Sequence, residues 1–399
     1  GHAIYSTVGW IGDVRISPDG NHVAFAEHRL RGDSAGDLVV TDRSGRAKVL
    51  VRGLTLLDGV AWEANGRELL WSGVSSGNNA VVSGVDLSGR ERLVHRSGIA
   101  EDLYDVAAGG SALVVQTSSR REAYLADRKG GRDRDLSWLD WTFPDDISPD
   151  GNWLLSTEQG QATRSDYLAY LRKTDGSPAV QLGMGNATTI SPDGRLVAAL
   201  RAPAPGGTGS KVVLYPTGAG QSRGVDLPNL DPIWVSWFPD GKRLLVSADA
   251  PGHPAGLYEV PLEGGASRPI SAPPMNPFFV SVSPDGSSIA GISSEKRIVI
   301  IPVRGGAPRV FPADLNAANF TRWSGDSRSV YYVDRTPFPA RIHRLDLATG
   351  REELVREVAP LDPAGVQGVG PVWITPDGQT VVYSFRRILT DLLLADGLK

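Results

Sequence analysis

The sequence predicts an all-β protein, a single closed β-propeller of about nine four-stranded blades, on three observations. A four-residue turn motif recurs nine times along the 399 residues. Apolar residues flank every copy at fixed distances. The 47 Gly and 28 Pro supply the turns that many short strands require.

The motif is Ser17-Pro18-Asp19-Gly20, repeated at Ser148–Gly151, Ser191–Gly194 and Ser283–Gly286, with close copies at Phe238–Gly241 and Thr375–Gly378. Pro presets φ, Asp can bond its own backbone, and Gly takes the positive φ that closes a hairpin. Degenerate forms stand at the expected spacing: Glu63-Ala64-Asn65-Gly66, Ala107-Ala108-Gly109-Gly110 and Ser324-Gly325-Asp326-Ser327. Successive anchors lie 41 to 51 residues apart, in or near the range of a propeller blade. The residue before each anchor is apolar in all nine units, and the third residue after it is aliphatic in all nine, from Ile16 and Val23 to Ile374 and Val381. A second hairpin follows in each unit, as at Leu38–Asp42 before Ser44-Gly45, completing strands a to d.

The last unit, 370–399, stops after strand c at Asp391–Leu394. The N-terminal segment 3–8 is expected to supply its fourth strand, closing the ring as radial β architectures require. Eight blades with one distorted unit is the alternative, because nine exceeds the usual four to eight. No linker divides the chain, so 1–399 reads as one domain.

Composition excludes several functions. A net charge of −4 with no cluster of Lys and Arg argues against nucleic acid. No apolar run is long enough to span a membrane, and any anchor or export signal is expected outside this chain. The absence of cysteine removes disulfides, thiolate catalysis and cysteine-ligated zinc. The six histidines show no paired spacing, and Asp133 and Asp135 alternate with Arg132 and Arg134, so neither a metal nor a cofactor is expected. Gly-x-Ser-x-Gly occurs around Ser34, Ser75 and Ser222, but none sits on the strand-to-helix turn of a nucleophile elbow. Gly206–Lys211 lacks the Gly-Lys-Ser/Thr and helix of a phosphate loop.

Candidate binding residues come from strand a, which lines a propeller's channel. Two positions before each anchor the residues are Arg15, Ala61, Asp105, Asp146, Thr189, Ser236, Ser281, Arg322 and Trp373, seven of them polar beside strictly apolar slots. Arg15, Asp105, Asp146 and Arg322 are therefore expected at the channel or its mouth, where they contact a small polar ligand or pair with one another across blades. Trp62, Trp237 and Trp323 fill the apolar slot before the anchor and read as packing between blades. Trp138 and Trp141 flank the connection into the fourth blade and are nominated for recognition.

The Ser-Pro-Asp-Gly repeats resemble TolB-like and WD-type bacterial propellers. Two segments, Tyr383–Leu392 running to Lys399 and Asp135–Trp141, with Leu171–Pro178, resemble the extracytoplasmic propeller that follows the kinase and membrane segment of bacterial serine/threonine receptor kinases. The chain has no kinase His-Arg-Asp or Asp-Phe-Gly motif; His343-Arg344-Leu345-Asp346 is read as a strand. The resemblance implies a non-catalytic sensor binding a small polar ligand or a protein partner, extracytoplasmic and tethered to a transmembrane kinase. A stand-alone TolB-like periplasmic scaffold is the alternative, and an enzyme with a site in the channel mouth is a third.

Overall fold

A computed structural model describes residues 2–28, 35–74, 80–96, 100–107, 109–127, 131–159, 167–202, 209–311, 318–335 and 338–397. Ser34, Ser75 and 206–208 of the motifs weighed above lie outside them. Every regular element among the described residues is a β-strand, and these form eight sheets. They belong to two compact units rather than one domain over 1–399: unit 1 is 1–119 with 388–399, and unit 2 is 120–387.

Unit 1 begins with two four-stranded antiparallel sheets. The first holds β1 (Trp10–Ile16), β2 (His22–His28), β3 (Gly36–Asp42) and β4 (Ala47–Leu54); the second holds β5 (Leu56–Trp62), β6 (Glu68–Val74), β7 (Val81–Asp86) and β8 (Glu91–Arg96). β9 (Ala100–Val106) pairs with β10 (Ala112–Leu125), whose first part lies in unit 1 and last part in unit 2. Leu38, Val40, Leu57, Val60, Leu69 and Trp71 form a buried cluster between the first two sheets.

Unit 2 takes the end of β10 and β11 (Arg134–Asp135). Five four-stranded sheets follow. They comprise β12 (Thr142–Ile147), β13 (Trp153–Glu158), β14 (Leu168–Lys173) and β15 (Val180–Met184); β16 (Asn186–Ile190), β17 (Leu196–Arg201), β18 (Lys211–Pro216) and β19 (Arg223–Gly224). Next come β20 (Asp231–Trp237), β21 (Arg243–Ala250), β22 (His253–Pro261) and β23 (Arg268–Ile270); β24 (Ser281–Val282), β25 (Ser288–Ile292), β26 (Ile298–Pro302) and β27 (Arg309–Phe311). Last are β28 (Ala318–Trp323), β29 (Ser329–Asp334), β30 (Ala340–Asp346) and β31 (Glu352–Val358). β32 (Val366–Ile374) and the start of β33 (Val381–Ala395) form the sixth sheet with β10 and β11, in the order β11-β10-β33-β32. The inner strands β12, β16, β20, β24, β28 and β32 neighbour one another in that order, and β32 neighbours β12. This cyclic arrangement of sheets is that of a β-propeller.

All nine anchors close hairpins between a first and a second strand. In the full motif the Ser hydroxyl donates to the Asp carboxylate, at 2.6 Å for Ser17–Asp19 and 2.5 Å for Ser148–Asp150. The same carboxylate accepts the N–H two residues on, as Asp150 does from Asn152 at 3.0 Å. Gly20 and Gly151 then take φ of 69° and 74°. Ser327 adopts φ 60° without being glycine, and Ser324 still donates to Asp326 at 2.6 Å, so the drifted turn keeps its geometry.

The expected closure by residues 3–8 is not what forms. That segment makes no strand; Tyr5 donates to Glu27 at 2.8 Å and packs on Phe25 with ring centroids 4.8 Å apart. β33 instead pairs with β10. The cause is local: neither 112–125 nor 381–395 contains Gly or Pro, so the hairpin expected in the middle of each does not form, and each runs on as one strand of 14 or 15 residues. The third and ninth repeats thereby share a sheet, which is why nine anchors give eight sheets.

Candidate functional site

A cavity with mostly apolar walls opens at the anchor ends of the six inner strands of unit 2 and holds about 420 Å³. Every unit 2 residue two positions before an anchor lines it: Asp146, Thr189, Ser236, Ser281, Arg322 and Trp373. Around them stand Trp234, Trp237, Trp323 and Phe279. The anchor prolines Pro149, Pro192, Pro239, Pro284 and Pro376, with Gly325 in the sixth place, complete the wall. The turn chemistry of the repeat therefore also builds an apolar collar.

One ion pair crosses this space. Arg322 Nη2 donates to Asp146 Oδ1, and both side chains are largely buried. The Asp146 carboxylate also accepts the N–H of Ile147 at 2.8 Å, the N–H of Ile190 at 2.9 Å and the Thr189 hydroxyl at 3.0 Å. Its lone pairs are thus committed to strands β12, β16 and β28. The Arg322 guanidinium carbon lies 5.9 Å from the centre of the Trp373 ring. Indole N–H groups tie the aromatic wall to backbone carbonyls: Trp373 to Pro144 at 2.9 Å, Trp323 to Ser281 at 3.1 Å and Trp234 to Val280 at 3.2 Å. The buried Trp237 Nε1 has no partner among the described residues. The chemistry on offer is aromatic faces, six hydroxyl side chains and a guanidinium already held by a carboxylate.

The four charged candidates do not share one cavity. Arg15 and Asp105 belong to unit 1, where they line a separate space of about 290 Å³ with Ile16, Pro18, Trp62, Ala64 and Val106. Arg15 donates to the carbonyls of Val14 and Tyr104, each at 3.0 Å, and Asp105 accepts the N–H of Val106 at 2.9 Å. Trp138 and Trp141 line neither cavity. Trp138 is 37% exposed under the Arg172 guanidinium, 5.4 Å from its ring centre. Trp141 has Arg121 and Arg386 each at 5.4 Å from its ring. Burial, with the Arg386 and Arg335 charges adding to it, lowers the Arg121 pKa to about 10.

Two buried acids sit behind the cavity wall and were not anticipated. Asp145 is 1% and Glu158 0% exposed. Burial drives Asp145 well above the carboxylate range and lifts Glu158 to about 7, against the hydrogen bonds Glu158 receives from Thr142 and the Leu139 N–H. Thr157 Oγ1 lies 2.6 Å from Asp145 Oδ2 and 2.9 Å from Asn186 Oδ1, and it accepts the Ala187 N–H at 2.9 Å. One hydroxyl hydrogen cannot serve both oxygens, so one of the two contacts takes its proton from the partner, a neutral Asp145 or the Asn186 amide turned to donate.

No family model matches the sequence, and no curated protein matches it. Among solved structures, the chain is similar to a TolB protein from Agrobacterium tumefaciens at 23% identity and TM-score 0.51, over 68% of this chain and 99% of that one. It is similar to TolB from Acinetobacter baumannii at 14% identity and TM-score 0.37, over 76% of this chain and 63% of that one. A puromycin hydrolase matches at 18% identity and TM-score 0.42, over 82% of this chain and 58% of that one. The likeness to the first shows a TolB-like β-propeller fold.

Proposed function

We propose that the chain is a non-catalytic, TolB-like interaction protein that takes an apolar segment of a protein partner at the mouth of the unit 2 cavity. The observation that carries this is the collar of five anchor prolines around Trp234, Trp237, Trp323 and Phe279. Such a wall offers apolar contact and aromatic anchoring surface, the features of binding hot spots. The lining contains no histidine, and its one carboxylate is spent on Arg322 and two N–H groups. Recognition therefore suits this wall better than proton transfer does.

The test is selection of peptides from a random display library against the whole chain, followed by Ser281→Arg and Thr189→Arg, which fill the cavity from two strands. Selected peptides should lose at least about tenfold in affinity to both variants, while circular dichroism stays unchanged. Peptides that bind both variants as tightly as the original, or that are cleaved or otherwise turned over, would reject the proposal.

The segments Tyr383–Leu392 and Asp135–Trp141 support a second reading, in which the chain is the extracytoplasmic sensor of a receptor kinase. A membrane-spanning segment and a kinase encoded upstream in the same gene would favour it; a free-standing exported product would favour the scaffold.

A further inference from the structure

The unit 2 cavity has hydrogen-bond donors to spare and no ionised acceptor left to meet them. Among the described residues, Arg322 and Asp146 are the only charged members of its lining. The Asp146 carboxylate is filled by the N–H groups of Ile147 and Ile190, the Thr189 hydroxyl and one Nη2 hydrogen of Arg322. The guanidinium is not filled. It donates to Asp146 alone, so Nε and Nη1 have no acceptor among the described residues, and neither atom is sealed from solvent.

The backbone aims these groups. Bulges between Pro144 and Asp146, between Ala187 and Thr189 and between Phe320 and Arg322 interrupt the pairing of β12, β16 and β28 just before each cavity residue. A bulge redirects the side chain beside it. Arg322 is then held twice, by its ion pair to β12 and by Trp373, whose ring centre lies 5.9 Å from the guanidinium carbon. A side chain already ordered loses little further entropy when it takes up a ligand. The same lining holds Ser236, whose hydroxyl makes no hydrogen bond among the described residues, and Ser281, whose hydroxyl makes only a 3.4 Å contact to the Val282 carbonyl.

We propose, resting on the reading of this cavity as a site for an apolar protein segment, that the segment carries one carboxylate, which the open side of Arg322 grips. A cationic group does not suit the site, because the guanidinium repels it and Asp146 has no lone pair left to accept from it. A neutral carbonyl takes single N–H bonds, whereas a carboxylate matches the planar fork with two parallel charge-assisted ones. A wall otherwise built of Pro, Trp and Phe strengthens that pairing by its low dielectric. Asp146 does not cancel the attraction, since three donors besides Arg322 share its charge. The carboxylate comes from an Asp or Glu side chain or from a chain terminus.

A random peptide library displayed with free C-termini is selected against the whole chain, and binders that lose affinity to Ser281→Trp, which fills the cavity without adding charge, are kept. Each is then made in two neutralised versions, one with its acids changed to the amides and one with the C-terminus amidated. One version should bind at least about tenfold more weakly, and which one identifies the source of the carboxylate. Against the Asp146→Asn, Arg322→Met variant, the same neutralisation should cost less than about twofold. Cavity-dependent peptides that tolerate both neutralisations would overturn the carboxylate and leave the segment-binding role standing. A library that yields no cavity-dependent binder overturns both. The comparison of peptide versions is made on the natural chain, so it holds even where the double variant fails to fold.

Discussion

Arg322 on β28 forms an ion pair with Asp146 on β12, linking two inner strands that β32 separates in the cycle of unit 2. The pair is buried, so removing one partner strands the other charge away from water. Asp146→Ala should destabilise unit 2 by roughly 3–5 kcal/mol in urea unfolding. Replacing both, Asp146→Asn with Arg322→Met, should recover most of that loss. Equal losses for the single and double variants would show that the pair contributes only its backbone contacts.

Stability should fall as pH rises from about 5 to about 7. Glu158 has a folded pKa of about 7 against roughly 4.3 for a free side chain, so between those values the folded protein holds a proton that the unfolded chain has released. Asp145 acts in the same direction through its burial. Thermal unfolding followed across this range should show a declining midpoint, and Glu158→Gln should flatten the decline. An unchanged slope in that variant would assign the dependence elsewhere.

The anchor aspartates act with the opposite sign. The Ser17 hydroxyl, then the Asn21 N–H, hold Asp19 down to about 2, and the Ser148 hydroxyl, with the Asn152 N–H, lowers Asp150. Their stabilisation is complete above the unfolded value near 3.9 and disappears as pH falls through the folded one. Acid unfolding should therefore begin below about pH 4, leaving a stability maximum between these two regimes. Asp150→Ala should cost roughly 1–2 kcal/mol by urea titration at pH 5, from the loss of its turn hydrogen bonds.

A chain spanning 120–387 should fold alone, because unit 2 contains all four strands of each of its six sheets. Cooperative thermal unfolding with a native near-ultraviolet spectrum would bear this out. Residues 1–119 alone should be markedly less stable, lacking the strand that 388–395 gives to their third sheet.

The anchors were legible because their turn chemistry is local: Pro, Asp and Gly each act within four residues, and even Glu63–Gly66 keeps the Asn65 carboxamide bond to the Arg67 N–H at 2.7 Å. The six cavity positions two residues before an anchor were legible for the same reason. Trp234 and Phe279 were not. A bulge between Pro232 and Trp234 shifts the alternation that sequence counting relies on, and Phe279 adopts φ 60° just before its strand. The division into units escaped because pairing of β10 with β33 joins residues far apart in the chain, and the only local sign was an absence of turn residues in 112–125 and 381–395.

That shared pair of strands sets an order of events during synthesis. The first inner strand of unit 2 emerges near residue 142, yet its sixth sheet waits for 366–387, and the third sheet of unit 1 waits for 388–395. Neither unit can complete its hydrogen bonding until its part of residues 366–395 has left the ribosome. Pairing over such sequence separation is slow, and it leaves β10 unpaired on one side meanwhile. Holdase chaperones acting on nascent chains would find their target in that strand.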